Sequence, residues 1–139
     1  MPAKDIYHQT VINAMIKDGW KITHDPLRIR LTNGKNLFID LGAERLIAAE
    51  KGTEKIAVEI KSFRQASDVK DLEEALGQFV LYHRFLIRYN PDYTLYLAVT
   101  EEVGKNVFEE ELGQVLIEDG LIKLFTFDPI KEEIIKWIT

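Results

Sequence analysis

Cysteine is absent from this chain of 139 residues. Its absence excludes disulfide bonds, zinc sites built on Cys ligands and a Cys nucleophile, and it fits a reducing cytoplasm. No run of about 18 apolar residues indicates a membrane span. The opening residues, MPAKDIYHQT, contain no apolar core of a secretion signal. We therefore expect a cytoplasmic protein without a membrane segment.

Basic residues are fewer than acidic ones, and the formal net charge is -5. An acidic balance argues against tight nonspecific binding to nucleic acid, which depends on phosphate neutralisation by Lys and Arg. A local basic rim remains open, although scattered cations are more often plain solvated surface. The residues that could form such a rim are Arg28, Arg30, Lys35, Arg64, Arg84 and Arg88.

Repeats, low-complexity runs and linkers rich in Gly, Ser or Pro are missing as well. The length is close to that of one ordinary domain. Hydrophobic residues make up 46% and charged residues 29%, as in soluble globular proteins. We expect one domain over residues 1–139.

Hydrophobic periodicity predicts alternating helices and extended segments. Helices are expected over 4–18, from a cap at Ser67 or Asp68 to about Tyr89, and over 104–118. Extended segments are expected over 20–31 (broken at Asp25-Pro26), 36–50, 55–63, 93–100, 121–127 and 132–138. Turns or loops are expected at 32–35, 51–54 and 64–68. This order predicts an α/β fold of the α+β kind: a mixed central sheet, hairpin-built in part, flanked by helices, with a parallel crossover through the long helix.

The segment KIAVEIKSF, residues 55–63, is apolar except for its charges. Side chains alternate along a strand, which puts Glu59 and Lys61 on one face together with Ala57 and Phe63. The two charged residues are about 6.6 Å apart at roughly 3.3 Å per residue. A surface ion pair worth at most about 1 kcal/mol is one interpretation. A metal and phosphate site is the other, because carboxylates bind Mg²⁺ and Lys can steady a water or a developing negative charge.

A metal site needs another carboxylate, and Asp40 and Glu44 precede this strand. Either residue can instead be an ordinary strand-end or surface carboxylate. A simple hairpin through the turn at 51–54 would place Leu46 opposite Glu59 and Glu44 opposite Lys61. In that register Asp40 reaches the site only if its strand is bulged, bent or paired differently.

Gln78 and Tyr82 are four residues apart on the long helix and therefore share a helical face. Both can bind phosphate oxygens or orient a catalytic group, although the pair taken alone is more simply explained by a core Tyr and a solvated Gln. Among the histidines, His8 is a candidate for the same cleft, but a structural role is the simpler one. His24 and His83 belong to no motif and are treated as structural.

The ordered set of Asp40, the tripeptide Glu59-Ile60-Lys61 and the pair Gln78 and Tyr82 resembles the PD-(D/E)xK nuclease superfamily. The order of helix, three-strand meander, helix and strand is similar to its restriction-endonuclease-like core. The Q-x-x-x-Y spacing resembles the RecB-like branch. The chain departs from the family pattern around Asp40, where Ile39 replaces a frequent Pro.

The segments KDGWKITHDPL, IDLGAERLIAAEKGTEKIAVEIKSF, LGQFVLYH and YLAVT resemble the XisH family of cyanobacterial proteins, the fdxN element excision controlling factors. That resemblance covers nearly the whole chain. It implies an accessory role in programmed excision of a DNA element, beside a separate recombinase and a small XisI-like partner protein. DNA is the implied substrate, and a homodimer stays open.

The resemblance also implies roles for particular residues. Asp40 and Glu59 would hold Mg²⁺, or Mn²⁺ in its place, with the Ile60 backbone carbonyl as a third ligand and Glu44 in reserve. Lys61 would position or activate the attacking water.

Gln78 and Tyr82 would support that site. Three functions remain open at this point. They are a Mg²⁺-dependent endonuclease, a catalytically silent regulatory factor that acts through a protein partner, and a structural domain with only a surface ion pair.

Overall fold

The computed structural model describes residues 4–48, 52–64 and 67–139. Its helices are α1 (His8–Lys17), α2 (Asp68–Tyr89), the short α3 (Glu101–Val103), a π-helical turn (Gly104–Phe108) and α4 (Glu111–Glu118). Its strands are β1 (Lys21–His24), β2 (Leu27–Arg30), β3 (Asn36–Ile39), β4 (Leu41–Ala48), β5 (Gly52–Ile60), β6 (Tyr93–Thr100), β7 (Leu124–Asp128) and β8 (Glu133–Ile138). Parts of the predicted segment 36–50, the turn 51–54 and the loop 64–68 lie outside the described residues.

A mixed sheet of six strands, in the order β1-β4-β5-β6-β7-β8, forms the centre of the fold. The strand pairs are antiparallel at both edges, whereas β6 is parallel to both β5 and β7. Helix α2 makes the crossover from β5 to β6, as parallel neighbours require. The predicted α/β fold with a mixed central sheet flanked by helices is confirmed.

Strict alternation along β5 gives the sheet two buried faces. Ile56 and Val58 pack in a cluster with Met15 of α1. Ala57 packs on the opposite face in a cluster with Leu72 and Phe79 of α2. Glu59 follows Ala57 at the two-residue period of the strand, so its side chain lies on the α2 face of the sheet.

The two long extended segments each break into two strands, and the sequence predicted only the first of these two breaks. The break predicted at Asp25-Pro26 divides β1 from β2, and a second break at Asp40 divides β3 from β4. Strands β2 and β3 leave the main sheet and pair only with each other, from Leu27 opposite Ile39 to Arg30 opposite Asn36. The chain bends at Asp40, so this residue belongs to neither β3 nor β4.

Some predicted boundaries are confirmed. Helix α2 begins after Ser67, whose hydroxyl accepts a 3.2 Å hydrogen bond from the Lys70 N–H, and it ends before Pro91. The first helix is shorter than the predicted 4–18. Helix α1 starts only at His8, because Asp5 forms a turn in which its carboxylate accepts the Tyr7 N–H at 2.9 Å.

The continuous helix expected over 104–118 is wrong. A π-helical turn runs to Phe108, the chain is extended at Glu110, and α4 follows. Close packing accompanies the break, since a Cβ added to Gly113 would lie 2.6 Å from the Val107 carbonyl oxygen.

Several strand boundaries also differ from the prediction. Strand β5 ends at Ile60 rather than Phe63, where φ is 51°, and β7 starts at Leu124 rather than residue 121. In the described part of the chain, none of the helices has the length and apolar character needed to cross a membrane.

Candidate active site

The register of β4 against β5 brings Asp40 beside Glu59. Leu41 lies opposite Val58, so the next position outward on each strand is Asp40 on one and Glu59 on the other. The Asp40 N–H donates to Glu59 Oε1 at 3.2 Å, and the Ile60 N–H donates to Asp40 Oδ2 at 2.7 Å. The end of the hairpin thus fixes one carboxylate against the other.

The register predicted from the sequence was wrong. Leu46 lies opposite Thr53, and Glu44 lies opposite Lys55. The reason is that Gly52 already belongs to β5, so most of the expected turn at 51–54 is strand. Glu44 is therefore about 13 Å along the strand from the position of Glu59, at roughly 3.3 Å per residue, and it does not line the cleft described below.

Lys61 follows the last residue of β5 and points to α2. Its Nζ lies 2.8 Å from Oε2 of Glu74, and its side chain is 20% exposed. The Lys61 N–H donates to the Ala98 carbonyl at 3.1 Å, which extends the pairing of β5 with β6 by one residue. Glu59, by contrast, is only 7% exposed. Glu59 and Lys61 therefore do not form a surface ion pair with each other.

Helix α2 contributes the other wall of a cleft of about 190 Å³. The residues that line it are Asp5, Phe38, Asp40, Glu59, Ile60, Lys61, Gln78 and Tyr82. Every site residue predicted from the sequence except Glu44 is therefore present. Burial raises the pKa of Tyr82, and the nearby carboxylates of Glu59 and Asp40 raise it further.

Asp5 and Phe38 are the lining residues that the sequence did not reveal. Asp5 precedes α1 and has the sequence context of any acidic residue near a helix start. Phe38 belongs to an apolar run and has the pattern of a core residue. Only the bend at Asp40 and the position of α1 bring them to the cleft, so no local pattern could have identified them.

The electrostatics of the cleft centre on Glu59, whose pKa is raised to about 9. Burial is the largest cause, followed by the charge of Asp40 and a side-chain hydrogen bond with it, with a smaller contribution from Asp5. The hydrogen bond that Glu59 accepts from the Asp40 N–H lowers the pKa of Glu59. Burial and the charge of Asp40 thus favour the protonated form of Glu59, and a cation bound there would compete with that proton.

The donor atoms fit a small hard cation. Across the described ranges, no group of three or more His, Cys, Asp and Glu side chains is arranged to hold a metal ion. Mg²⁺ does not need such a group, since it binds through one or two carboxylates and completes its shell with water and phosphate oxygens. Asp40 and Glu59 supply the carboxylates, and Ile60 lines the same cleft.

The histidines lie elsewhere. The Nε2 atom of buried His8 is 2.7 Å from Asp25 Oδ1, and His24 Nδ1 is 2.9 Å from Thr23 Oγ1. Burial and then the charges of Arg84 and Lys123 lower the pKa of His83. None of the three lines the cleft.

The fold and cleft define a mixed α/β protein with two adjoining carboxylates and a lysine at the end of a central strand. Residues 1–135 match the family model described as XisH protein. The chain belongs to the XisH family.

Two solved structures are similar over nearly the full length. One is an XisH family protein from Nostoc punctiforme PCC 73102, with 40% identity and a TM-score of 0.85, covering 97% of this chain and 100% of that one. The other is an fdxN element excision controlling factor protein from Anabaena variabilis, with 39% identity and a TM-score of 0.85, covering 98% and 100%. No curated protein matches the chain.

Proposed function

We propose that this protein is an accessory factor for programmed excision of a DNA element and carries a Mg²⁺-dependent DNA phosphodiesterase site of the PD-(D/E)xK type. The observation that carries the proposal is the convergence of Asp40, Glu59 and Lys61 in one cleft. The excision role is supported by the name of the Anabaena variabilis relative. The restriction-endonuclease-like assignment is supported by the ordered motif and by a mixed sheet crossed by α2.

Asp40 and Glu59 would hold Mg²⁺ together with the Ile60 carbonyl oxygen, and Mn²⁺ could take its place. When bound, the cation supplies Lewis-acid stabilisation of the negative charge that grows on the phosphate. The burial of Glu59 shields its carboxylate from water, which strengthens its attraction for a cation. The hydrogen bond from the Ile60 N–H keeps the Asp40 carboxylate oriented in the cleft.

Lys61 would position the attacking water and stabilise the charged phosphate through its ammonium group. Glu74 already holds that ammonium at the wall of the cleft. Gln78 and Tyr82 would donate hydrogen bonds to the phosphate oxygens from one face of α2. The chain thus supplies binding, orientation and charge on three sides of a phosphate.

Incubation of single-stranded, duplex and supercoiled DNA with Mg²⁺ or Mn²⁺ tests the proposal. We expect metal-dependent cleavage that Asp40→Ala and Lys61→Ala each reduce by about a hundredfold or more, since such electrostatic groups contribute on that scale. Lys131→Ala removes an exposed lysine outside the cleft and is the matched control. Full cleavage by both cleft variants would show that the residues are assigned wrongly.

A catalytically silent regulatory factor is the second candidate function. Helix α2 exposes the apolar side chains of Val69, Val80, Leu81 and Ile87 by 41–50%; Val69, Val80 and Ile87 share one side of the helix, and Leu81 lies about 100° around it. Exposed apolar side chains on a helix are a typical feature of docking surfaces for a protein partner. We propose that a small XisI-like protein covers them, and that the cleft would then serve binding rather than turnover.

Co-purification with an XisI-like protein tests this second candidate. Leu81→Glu should abolish the complex and leave the unfolding midpoint unchanged, because the side chain is 47% exposed. A homodimer is the competing occupant. Sedimentation would reveal it as a dimer of wild type that Leu81→Glu converts to monomer. Retention of the complex by Leu81→Glu would contradict the proposed surface.

A further inference from the structure

A second and larger groove opens on the α2 side of the sheet. Its volume is about 520 Å³, within the range of ligand sites in proteins. The lining residues that matter are His24, Arg28, Lys55, Tyr89, Asp92 and Tyr93. Nothing in the candidate active site uses them.

Two structural links join this groove to the cleft. Lys55 and Glu59 lie on one face of β5, four residues and therefore about 13 Å apart at roughly 3.3 Å per residue. In the β2–β3 ribbon, Arg28 lies directly opposite Phe38, so both side chains project from one face of the ribbon. Phe38 lines the cleft and Arg28 lines the groove. A chain molecule leaving the cleft would cross this face of the ribbon and enter the groove.

The charge of the groove is opposite to that of the whole protein. Among the described residues, neither Arg28 nor Lys55 has a carboxylate within ion-pair distance, and Asp92 is the acidic residue of the lining. Arg30 lies two residues beyond Arg28 on the same ribbon face and is exposed. Glu44 is the cross-strand neighbour of Lys55, so the positive charge beside the candidate active site comes chiefly from Arg28 and Arg30, in a protein of net charge -5.

Two aromatic rings line the same groove. Tyr89, at the end of α2, is 39% exposed. Tyr93 starts β6, and the Lys55 Nζ lies 5.9 Å from the centroid of its ring. Cationic side chains that follow a phosphate backbone, combined with rings on which bases stack, are the features of grooves for single-stranded nucleic acid.

We propose that this groove binds the single strand of DNA that extends away from the candidate active site. Arg28 and Lys55 contact its phosphates, and Tyr89 and Tyr93 stack with unpaired bases. The inference rests on the proposed function for its choice of DNA, and it adds a place where the strand is held.

The test measures fluorescence anisotropy of a labelled single-stranded DNA oligonucleotide, with EDTA present so that metal-dependent cleavage cannot occur. We expect Arg28→Ala and Lys55→Ala each to weaken binding by about three- to tenfold at fixed salt. Each should also reduce the slope of log K against log salt by about 0.7, as expected for one lost phosphate contact on a single strand. Lys131→Ala should match wild type, and a duplex of the same length should compete more weakly.

The outcomes separate this inference from the proposed function. The proposed DNA-binding role of the groove would be overturned if the wild-type protein bound no oligonucleotide. It would also be overturned if both variants bound as tightly as wild type, even if the protein cleaves DNA with Mg²⁺. Equal competition by the duplex would overturn the single-strand assignment. If both variants bind more weakly and the wild-type protein cleaves no DNA, the binding role of the groove is supported. The same result counts against the phosphodiesterase site.

Discussion

The backbone N–H of Ile60 donates a 2.7 Å hydrogen bond to Asp40 Oδ2, across the open end of the β4–β5 hairpin. The bond links the bend where β3 becomes β4 to the last residue of β5. It gives Asp40 a structural role in addition to its proposed role as a ligand, and the two roles can be separated by substitution.

Asp40→Asn keeps an oxygen that accepts the Ile60 N–H, whereas Asp40→Ala leaves this donor unsatisfied. We expect the alanine variant to be less stable than the asparagine variant by about 1–3 kcal/mol, the cost of an unpaired buried polar group. Urea unfolding in EDTA measures the difference. Both variants should lose cleavage. Equal stability of the two would show that the hydrogen bond contributes nothing to the fold.

The raised pKa of Glu59 predicts how the free energy of unfolding depends on pH when no metal is present. Its folded-state pKa of about 9 exceeds the unfolded value of 4.5, so the folded state holds its proton more tightly. This contribution is complete below pH 4.5 and is lost as pH rises towards 9. Glu59→Gln cannot ionise and should lack that loss. Urea unfolding at pH 5 and pH 9 should show a decline in wild type, on the order of a few kcal/mol, that the variant lacks. Parallel declines would contradict a buried, protonated Glu59.

The Lys61–Glu74 ion pair should contribute little to stability, because Glu74 is 42% exposed. A double-mutant cycle with Lys61→Met and Glu74→Gln should give a coupling energy below about 1 kcal/mol. The exposed pair of Lys105 and Glu101 supplies a reference cycle. A much larger coupling would mean that the pair holds α2 to the sheet, and loss of activity in Lys61→Met would then be a folding effect.

Gly113 and Gly77 offer a matched test of the packing around the π-helical turn. A Cβ at Gly113 would lie 2.6 Å from the Val107 carbonyl oxygen and 2.7 Å from the Phe108 Cα, whereas a Cβ at Gly77 meets nothing within 4 Å. Gly113→Ala should destabilise by about 1–3 kcal/mol. Gly77→Ala should stabilise by up to about 1 kcal/mol through helix propensity. Thermal unfolding that moves both variants in the same direction would contradict this packing.

The sequence predicted which residues come together in the cleft better than it predicted how the strands bring them there. Alternation along β5 placed Glu59 correctly, because a strand has a fixed two-residue period. The hairpin register failed because Gly52 reads as a turn residue yet belongs to the strand. A shift in where a hairpin closes moves every cross-strand partner, so Glu44 was paired with Lys61 instead of Lys55.

Other features depend on contacts between distant segments. The β2–β3 ribbon leaves the main sheet at Asp40, and no local pattern distinguishes this bend from a continuous strand. Asp5 reaches the cleft through the position of α1. The break before α4 comes with tight packing at Gly113. These are tertiary effects that override propensity, and only the assembled fold reveals them.

Calorimetric titration of Mn²⁺ at pH 7, repeated in buffers of different ionisation enthalpy, tests the central claim most directly. If Asp40 and Glu59 share the cation, binding must displace the proton that Glu59 carries, and about one proton is released for each ion bound. Glu59→Gln should bind far more weakly and release none. Absence of binding by wild type, or full binding by Glu59→Gln, would contradict the claim that these two carboxylates form a metal site.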